Sequence, residues 1–299
     1  MYGHLENWID IEVPNAFKHR ASVDRVTSGI WIWSDPIFKK NETGQDIAIF
    51  LMDTQGWHDD RSDVGDTSMI FGLSSLLSSV MIINVTSMFG DDDLSFLQTF
   101  STNAQKLSRK DDEQFQKLIF LIRDWTLVDK ESGYPFGYHK IDDSKVSRNF
   151  IKEKFSLDGK SVAARNLRQL ITSSYKKIAA YLMPFPWRGP FANNDLLLST
   201  SLNEHFMENL QMFFKNLFDT KNIIANCFNG RRQKGKDIVN STQEWSRIFE
   251  NKVLPDLTDE SDYLIPYRMS MDCFEMIMER KLRSSNEEEL RKAIVLIKL

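Results

Sequence analysis

A chain of 299 residues with 41% hydrophobic and 27% charged residues has the make-up of a folded protein, long enough for one large domain or a large domain with an appendage. A net charge of -4 leaves no broad basic face for nucleic acid. Cys227 and Cys273 stand far apart without CxxC or Cys/His spacing, which argues against a disulfide framework or structural zinc and fits a reducing compartment.

No apolar run approaches the roughly 20 residues needed to span a bilayer. The first residues carry Glu6, Asp10 and Glu12 and lack a secretory h-region, so the chain is expected to be soluble.

Short apolar runs rich in β-branched and aromatic residues recur at Ile30–Trp33, Ile47–Met52, Val80–Ile83, Leu118–Ile122 and Ile178–Leu182. They read as strands buried on both faces. Trp31 and Trp33 alternate along the first and are expected to cover one sheet face. Helical patterns lie between the later runs, at Ser68–Ser79, Leu94–Leu107 and Ala163–Ser174. The alternation predicts an α/β fold with a mostly parallel sheet flanked by helices. Only Lys39–Asp46, with Asn41 and Gly44, separates the first two runs, so a hairpin is expected there and one sheet edge should be antiparallel.

After Pro190 no further strand is expected. Leu202–Leu217, Gln243–Phe249 and Leu257–Leu282 favour helix, with Pro266 interrupting or opening the last, and Glu287–Leu299 reads as one more helix. The methionines at 269, 271, 276 and 278 read as helix packing, and Arg231, Arg232, Lys234 and Lys236 as an exposed basic loop.

Three short segments carry chemistry. The Ile47–Met52 run leads into Asp53-Thr54-Gln55-Gly56, where an aspartate at a strand's carboxyl end can reach a Mg2+ ion and a glycine lets its N–H approach a terminal phosphate. Strand-Asp-turn-Gly is also ordinary punctuation. The Leu118–Ile122 run leads into Arg123-Asp124-Trp125, where a carboxylate can accept two hydrogen bonds from guanine that adenine cannot donate. An aspartate after a strand is also a common helix cap. Upstream, Thr27-Ser28-Gly29-Ile30 places a threonine that can complete a Mg2+ shell, or simply forms a turn. His58-Asp59-Asp60 with Asp63 reads as a solvated loop rather than a metal site. Asp91 to Asp93 reads as favourable charge at a helix N-terminus.

In this order, each beside a buried strand, TSGIWIW, LMDTQG and LIFLIRDW resemble the atlastins and guanylate-binding proteins of the dynamin superfamily. Phe17–Gly29 resembles the atlastin phosphate-sensing switch, Ser78–Asn84 the next strand, Asp91–Phe100 the helix after it, and Met183-Pro184-Phe185-Pro186 the guanine-capping segment. The resemblance runs from the first residues to about Leu254. It implies a large GTPase domain over 1–256 and the start of a helical middle region over 257–299.

It further implies that Thr27 is the first-switch threonine that touches Mg2+ and positions water. Asp53 is then the second-switch Mg2+ aspartate, Gly56 the γ-phosphate contact, and Arg123 and Asp124 the pair that replaces NKxD, with Asp124 reading guanine. GTP hydrolysis coupled to homodimerisation through the GTPase domain, and endoplasmic-reticulum membrane fusion or shaping through segments outside this chain, are implied for the intact relative. The other reading is a catalytically dead interaction module that pairs with a full-length relative.

The family opens with a strand and a GxxxxGK[ST] loop, and Met1-Tyr2 already resembles the end of the helix after that loop. The chain is therefore expected to lack the phosphate cradle and the loop's catalytic arginine, a residue type worth about 10³ to 10⁵ in rate. Hydrolysis by this chain alone is not expected. Gly159-Lys160-Ser161 is no substitute, since Lys154 stands where the loop's first glycine belongs. The family's missing strand is central, lying between the strands that correspond to Ile47–Met52 and Val80–Ile83. A gap through the core is expected in its place.

Overall fold

The computed structural model describes residues 29–33, 35–56, 64–86, 89–91, 93–95, 97–98, 115–126, 134–141, 150–186, 202–228, 231–250 and 293–298. Among the described residues the elements run in chain order β1 Ile30–Ile32, β2 Ile37–Lys40, β3 Asp46–Thr54, α1 Val64–Leu77, β4 Val80–Val85, β5 Phe115–Trp125 and β6 Gly137–Lys140. Then come α2 Phe150–Lys154, α3 Val162–Ser174, β7 Tyr175–Pro184, α4 Glu204–Leu217, β8 Cys227–Phe228, β9 Arg231–Arg232, α5 Gly235–Glu250 and β10 Ala293–Lys298. Part of the expected helix at 94–107 is also present, since the described residues from 91 to 98 are helical.

The main sheet has eight strands in the order β1-β3-β10-β4-β5-β7-β6, with β2 also on β3. The five interior strands are mutually parallel, as the α/β reading predicts, and β1, β2 and β6 run antiparallel. The expected hairpin is present. Its first arm is β1 and β2 laid end to end along one edge of β3, with Pro36 between them. Asn41 closes the turn: its Oδ1 accepts from the N–H groups of Thr43 and Gln45, and Gly44 takes φ 77, a left-handed value that only glycine adopts without strain.

Several expectations need correction. The run at Ile30 is buried on one face only, and Trp31 is 40% exposed, because β1 is an edge strand. The opposite edge is antiparallel as well: β6 is polar and lacked an apolar run to announce it. Strands exist after Pro190. The basic segment forms β9 and the start of α5 rather than a loop, and Arg232 donates to Gln45 Oε1. Residues 293–298, expected to be helical, form β10, and it lies where the core gap was expected, between β3 and β4. The expected helix at 257–282 and its methionines lie outside the described residues, as do His58 to Asp60, Asp63 and Cys273.

Two apolar layers cover the sheet. On one face Met81 and Ile83 of β4, Leu118, Phe120 and Ile122 of β5, and Ile178, Ala180 and Leu182 of β7 pack with Phe71, Leu97, Ile151, Leu167 and Ile171. Helix α3 joins this layer through Leu167 and Ile171, four residues apart, and starts at Ser161, whose Oγ accepts from Ala164 N. On the other face Phe206, Leu210, Phe213 and Leu217 of α4 form a stripe against Ile47, Ile49, Ile82, Ile119 and Tyr181. Tyr181 is fully buried. Its hydroxyl donates to Asn209 O at 2.8 Å, and burial pushes its pKa up to about 12.

Lys117 is an oddity at the amino end of β5. Burial lowers its pKa to about 8, and Lys177, directly opposite on β7, and Lys140 on β6 push it the same way. A depressed lysine pKa means that the unfolded chain holds a proton the folded one releases between about pH 8 and 10.5. Stability should therefore rise with pH through that window. Lys117→Met is expected to stabilise the protein by about 2 kcal/mol at pH 7, after allowance for partial exposure. Urea unfolding of both proteins at pH 7 and at pH 10.5 checks this, and the gain should shrink towards zero at the higher pH.

Candidate functional site

Strand β3 carries Asp53 at its carboxyl end, one residue after the fully buried Met52 and in register with Trp31 of β1. The chain then turns through Gln55 to the exposed Gly56. Gln55 points inward. Its Oε1 accepts from Gly29 N–H at 3.1 Å, and its own N–H donates to Gly29 O at 3.0 Å. Gly29 makes this approach with φ 75, where a side chain would be strained. Two hydrogen bonds thus tie the chain entering β1 to the chain leaving β3. Thr27 and Ser28 immediately precede Gly29, and Thr27 lies outside the described residues.

Arg123 and Asp124 were expected just after the fourth apolar run, Leu118–Ile122; they lie inside β5. That strand pairs regularly with β7 as far as Ile122 against Leu182, and the next matched pair is Trp125 against Pro184. One extra residue is therefore held on β5, a bulge of the kind that re-aims side chains at the end of a strand. Asp124 sits in it with φ 57, the only non-glycine with positive φ among the described residues. Aspartate is one of the few residues that take this conformation at modest cost. Arg123 is exposed and Asp124 half-buried.

Trp125, to which the sequence reading gave no role, anchors the far side of the bulge. It is 5% exposed, donates from Nε1 to Tyr134 O at 3.0 Å, and meets the Phe150 ring edge-on at 5.4 Å. A large aromatic directly after the Arg-Asp pair was the available signal. Beside it β7 ends at Pro184, and Phe185 follows, 37% exposed.

These features share one end of the sheet, the carboxyl ends of β3, β5 and β7, which is where open parallel sheets bind ligands. Asp53 and Asp124 are three strands apart, about 14 Å sideways alone. They cannot share one ion and would meet different ends of an elongated ligand. No group of three or more His, Cys, Asp or Glu side chains forms a metal cage among the described residues. A lone strand-end carboxylate suits Mg2+, which is commonly held by one or two carboxylates together with substrate phosphates.

Two look-alikes of the phosphate loop are structural. Gly159-Lys160-Ser161 joins α2 to α3, with Ser161 as the N-cap. Gly230 to Asp237 matches GxxxxGK and then has aspartate in place of serine or threonine. Its Asp237 accepts from Lys234 N at 3.0 Å, and the adjoining β8–β9 hairpin sits at the opposite end of the sheet. Asn226 Nδ2 donates to Leu77 O, and Gln116 Nε2 to Cys227 O at 3.4 Å, both near strand amino ends.

A cavity of about 370 Å³ beside Trp125 is lined by Phe89, Asp91, Tyr134, Lys154 and Arg168. Three of its charged side chains, Asp91, Lys154 and Arg168, are engaged with neighbouring groups. Buried Arg168 pairs with Asp91, holding that carboxyl below its ordinary range, and Lys154 donates to Phe89 O at 3.0 Å. Of the aspartates expected at a helix N-terminus, Asp93 does cap, accepting from Gly90 N at 2.9 Å.

The Gly29–Gln55 link predicts that Gln55→Ala, which leaves the Gly29 N–H without that acceptor, destabilises the protein by about 1 to 3 kcal/mol. Urea unfolding measures the loss. Amide exchange at Gly29 should accelerate in the variant, and unchanged exchange there would show that the link does not hold the two segments together.

A family model described as "Guanylate-binding protein, N-terminal domain" matches residues 11–226, a span that includes Thr27, Asp53, Gly56, Arg123 and Asp124. The chain is 29% identical over 272 residues to Atlastin of Drosophila melanogaster, covering 88% of this chain and 49% of that protein. It is 28% identical over 273 residues to Atlastin-1 of Bos taurus, covering 88% and 47%, and 29% identical over 261 residues to Atlastin-3 of Rattus norvegicus, covering 85% and 46%. It thus spans about half the length of the curated relatives it matches. With the Asp-Thr-Gln-Gly turn and the Arg-Asp bulge at one end of a mostly parallel sheet, the chain belongs to the atlastin and guanylate-binding-protein family of large GTPases.

Proposed function

We propose that this chain binds guanine nucleotide with Mg2+ across the carboxyl end of its sheet. The left-handed bulge that presents Asp124 carries the reading. A carboxylate there accepts from the N1–H and the exocyclic amine of guanine, while adenine offers no such donor pair. Arg123 flanks the base, and Met183 to Pro186, beside Trp125, cap it.

Asp53, with Thr27, would hold the Mg2+, which supplies charge neutralisation at the phosphates. Gly56, exposed and without a side chain, lets its N–H approach the γ-phosphate. Thr27 orients the attacking water in the intact enzyme. Because the Gln55–Gly29 link joins the two segments that carry Thr27 and Gly56, a ligand that moves one would move the other.

For the intact protein we propose GTP hydrolysis coupled to homodimerisation through this domain, in the service of endoplasmic-reticulum membrane fusion or shaping. The proposed domain spans 1–256, and β10 joins its sheet from beyond that range. No described helix is long and apolar enough to cross a membrane. Residues 1–299 hold no GxxxxGK[ST] sequence, so nucleotide binding is the activity to measure on this chain.

The test is equilibrium binding of a fluorescent GTP analogue with Mg2+ to the 299-residue chain, beside Asp124→Ala and Asp124→Gly. Micromolar binding that GTP but not ATP displaces, and that both variants abolish, is expected. Asp124→Gly should also be about 1 kcal/mol more stable than Asp124→Ala, because glycine takes the left-handed conformation freely. A folded protein that binds no GTP, yet pairs with a full-length relative regardless of Asp124, would overturn the proposal in favour of a catalytically dead interaction module.

A further inference from the structure

We infer that Lys117, Lys177 and Lys140 form an anion site at the amino end of the sheet, separate from the nucleotide end, and that its ligand is a phosphate-type oxyanion. Lys117 is the third residue of β5 and stands directly opposite Lys177, the third of β7. Neighbouring strands lie about 4.8 Å apart. Lys140 ends β6 in register with Ala179, which makes it the diagonal neighbour of Lys177, about 7 to 8 Å away.

Alternation along the strands puts all three on the face that α4 covers. Lys117 precedes Ile119 by two residues, Lys177 precedes Tyr181 by four, and Lys140 follows Tyr138 by two. Ile119, Tyr181 and Tyr138 pack in one layer with Phe213 of α4. Lys140 and Lys177 are exposed, while Lys117 is half-buried.

No acid balances the pair at the centre of this group. Among the described residues neither Lys117 nor Lys177 forms an ion pair. Helix α4 brings no carboxylate to this end of the sheet. Its acids, Glu204 and Glu208, stand near its start, where Asn203 N donates to Pro186 O, and its last turn carries Lys215. Asp219, just beyond the helix, accepts from the N–H of Lys221 at 3.0 Å.

Burial and the two neighbouring ammonium groups together hold the Lys117 pKa down at about 8. The arrangement lowers the stability of the empty chain, and side chains that cost stability in this way gather where function requires them. Lysine binds phosphate as a point charge with three donors. A tetrahedral dianion offers acceptors in enough directions to meet ammonium groups arriving from three strands. The group lies seven residues from Asp124 along β5, about 23 Å, too far for its ligand to touch the base-reading bulge.

The same chemistry is offered by a free anion and by a lipid phosphate headgroup. Thermal melting of the full chain in inorganic phosphate, against chloride at equal ionic strength and pH 7, tests for the site. A saturable rise in the midpoint is expected. Lys117→Met, which should fold more stably, should abolish the rise, and Lys177→Gln, at an exposed position, should weaken apparent affinity about tenfold. No nucleotide enters the measurement, so its failure is distinct from failure of the guanine-nucleotide reading. Sedimentation with phosphatidic-acid vesicles, against neutral phosphatidylcholine, separates the sources. Binding that Lys177→Gln reduces assigns a headgroup, and a phosphate response without vesicle binding assigns the free anion. Phosphate that moves the midpoint no more than chloride does, or that moves Lys117→Met equally, overturns the proposal.

Discussion

Strand β3 must be hydrogen-bonded along both of its edges, and the molecule is arranged around that requirement. Ile47, Ile49 and Met52 are essentially inaccessible, so water cannot satisfy the peptide groups beside them. An unpaired buried group costs about 1 to 3 kcal/mol, and several in a row would exceed a normal folding stability of about 5 to 15 kcal/mol. One edge is answered locally, by β1 and β2 through the Asn41 turn. The other is answered by β10, from the far end of the sequence. With both edges paired, the residue at which β3 stops being a strand is fixed, and that residue is followed by Gln55 and Gly56. The position of Asp53 is a consequence of sheet completion.

The second carboxylate is placed by a local distortion. Ile122 and Trp125 are both locked, the first in the core and the second through Tyr134 and Phe150, while β7 offers one residue fewer between the corresponding points. The surplus residue has nowhere to go but out of the ladder, and Asp124 takes a left-handed conformation there. Strain of this kind persists where the surroundings over-determine it, and such positions gather at ligand sites. A regular strand would direct alternate side chains into the two apolar layers. The bulge breaks that alternation at the position where a carboxylate is wanted at the sheet's end.

What could be read from the sequence followed from burial. Interior parallel strands are covered on both faces, so they appear as continuous apolar runs, and those runs at Ile47, Val80, Leu118 and Ile178 all became interior strands. The hairpin was legible from Asn41 and Gly44, and the Asp53 and Asp124 segments from aspartates at strand ends. Edge strand β6 was not legible, because Gly137-Tyr138-His139-Lys140 has no apolar run. Strand β10 was misread for a different reason. An apolar run after Glu287, Glu288 and Glu289 suits either a buried helix or a buried strand, and periodicity cannot separate them. A distant partner edge decided the matter, and no local window contains it. Nor did spacing reveal the bulge or the inward turn of Gln55, since both depend on which residues across the sheet are locked.

The two ends of the sheet are built for different work, which bears on why motif spacing alone misleads here. At the amino ends, Asn226, Gln116 and Gln45 tie the strands to the β8–β9 hairpin, and Asp237 caps the helix behind it. A glycine-lysine sequence there serves a turn. At the carboxyl ends the strands finish in a half-buried aspartate and an exposed glycine after β3, the bulge on β5, and a proline-flanked Phe185 after β7. A loop binds phosphate when it leaves a strand at that second end and enters a helix, because only there do its backbone N–H groups and the helix dipole converge on the same space as Asp53. Gly159-Lys160-Ser161 enters a helix but follows another helix, and Gly230 to Asp237 enters one at the wrong end of the sheet. Glycine and lysine are thus structural at both of these places, and the sheet's direction decides it.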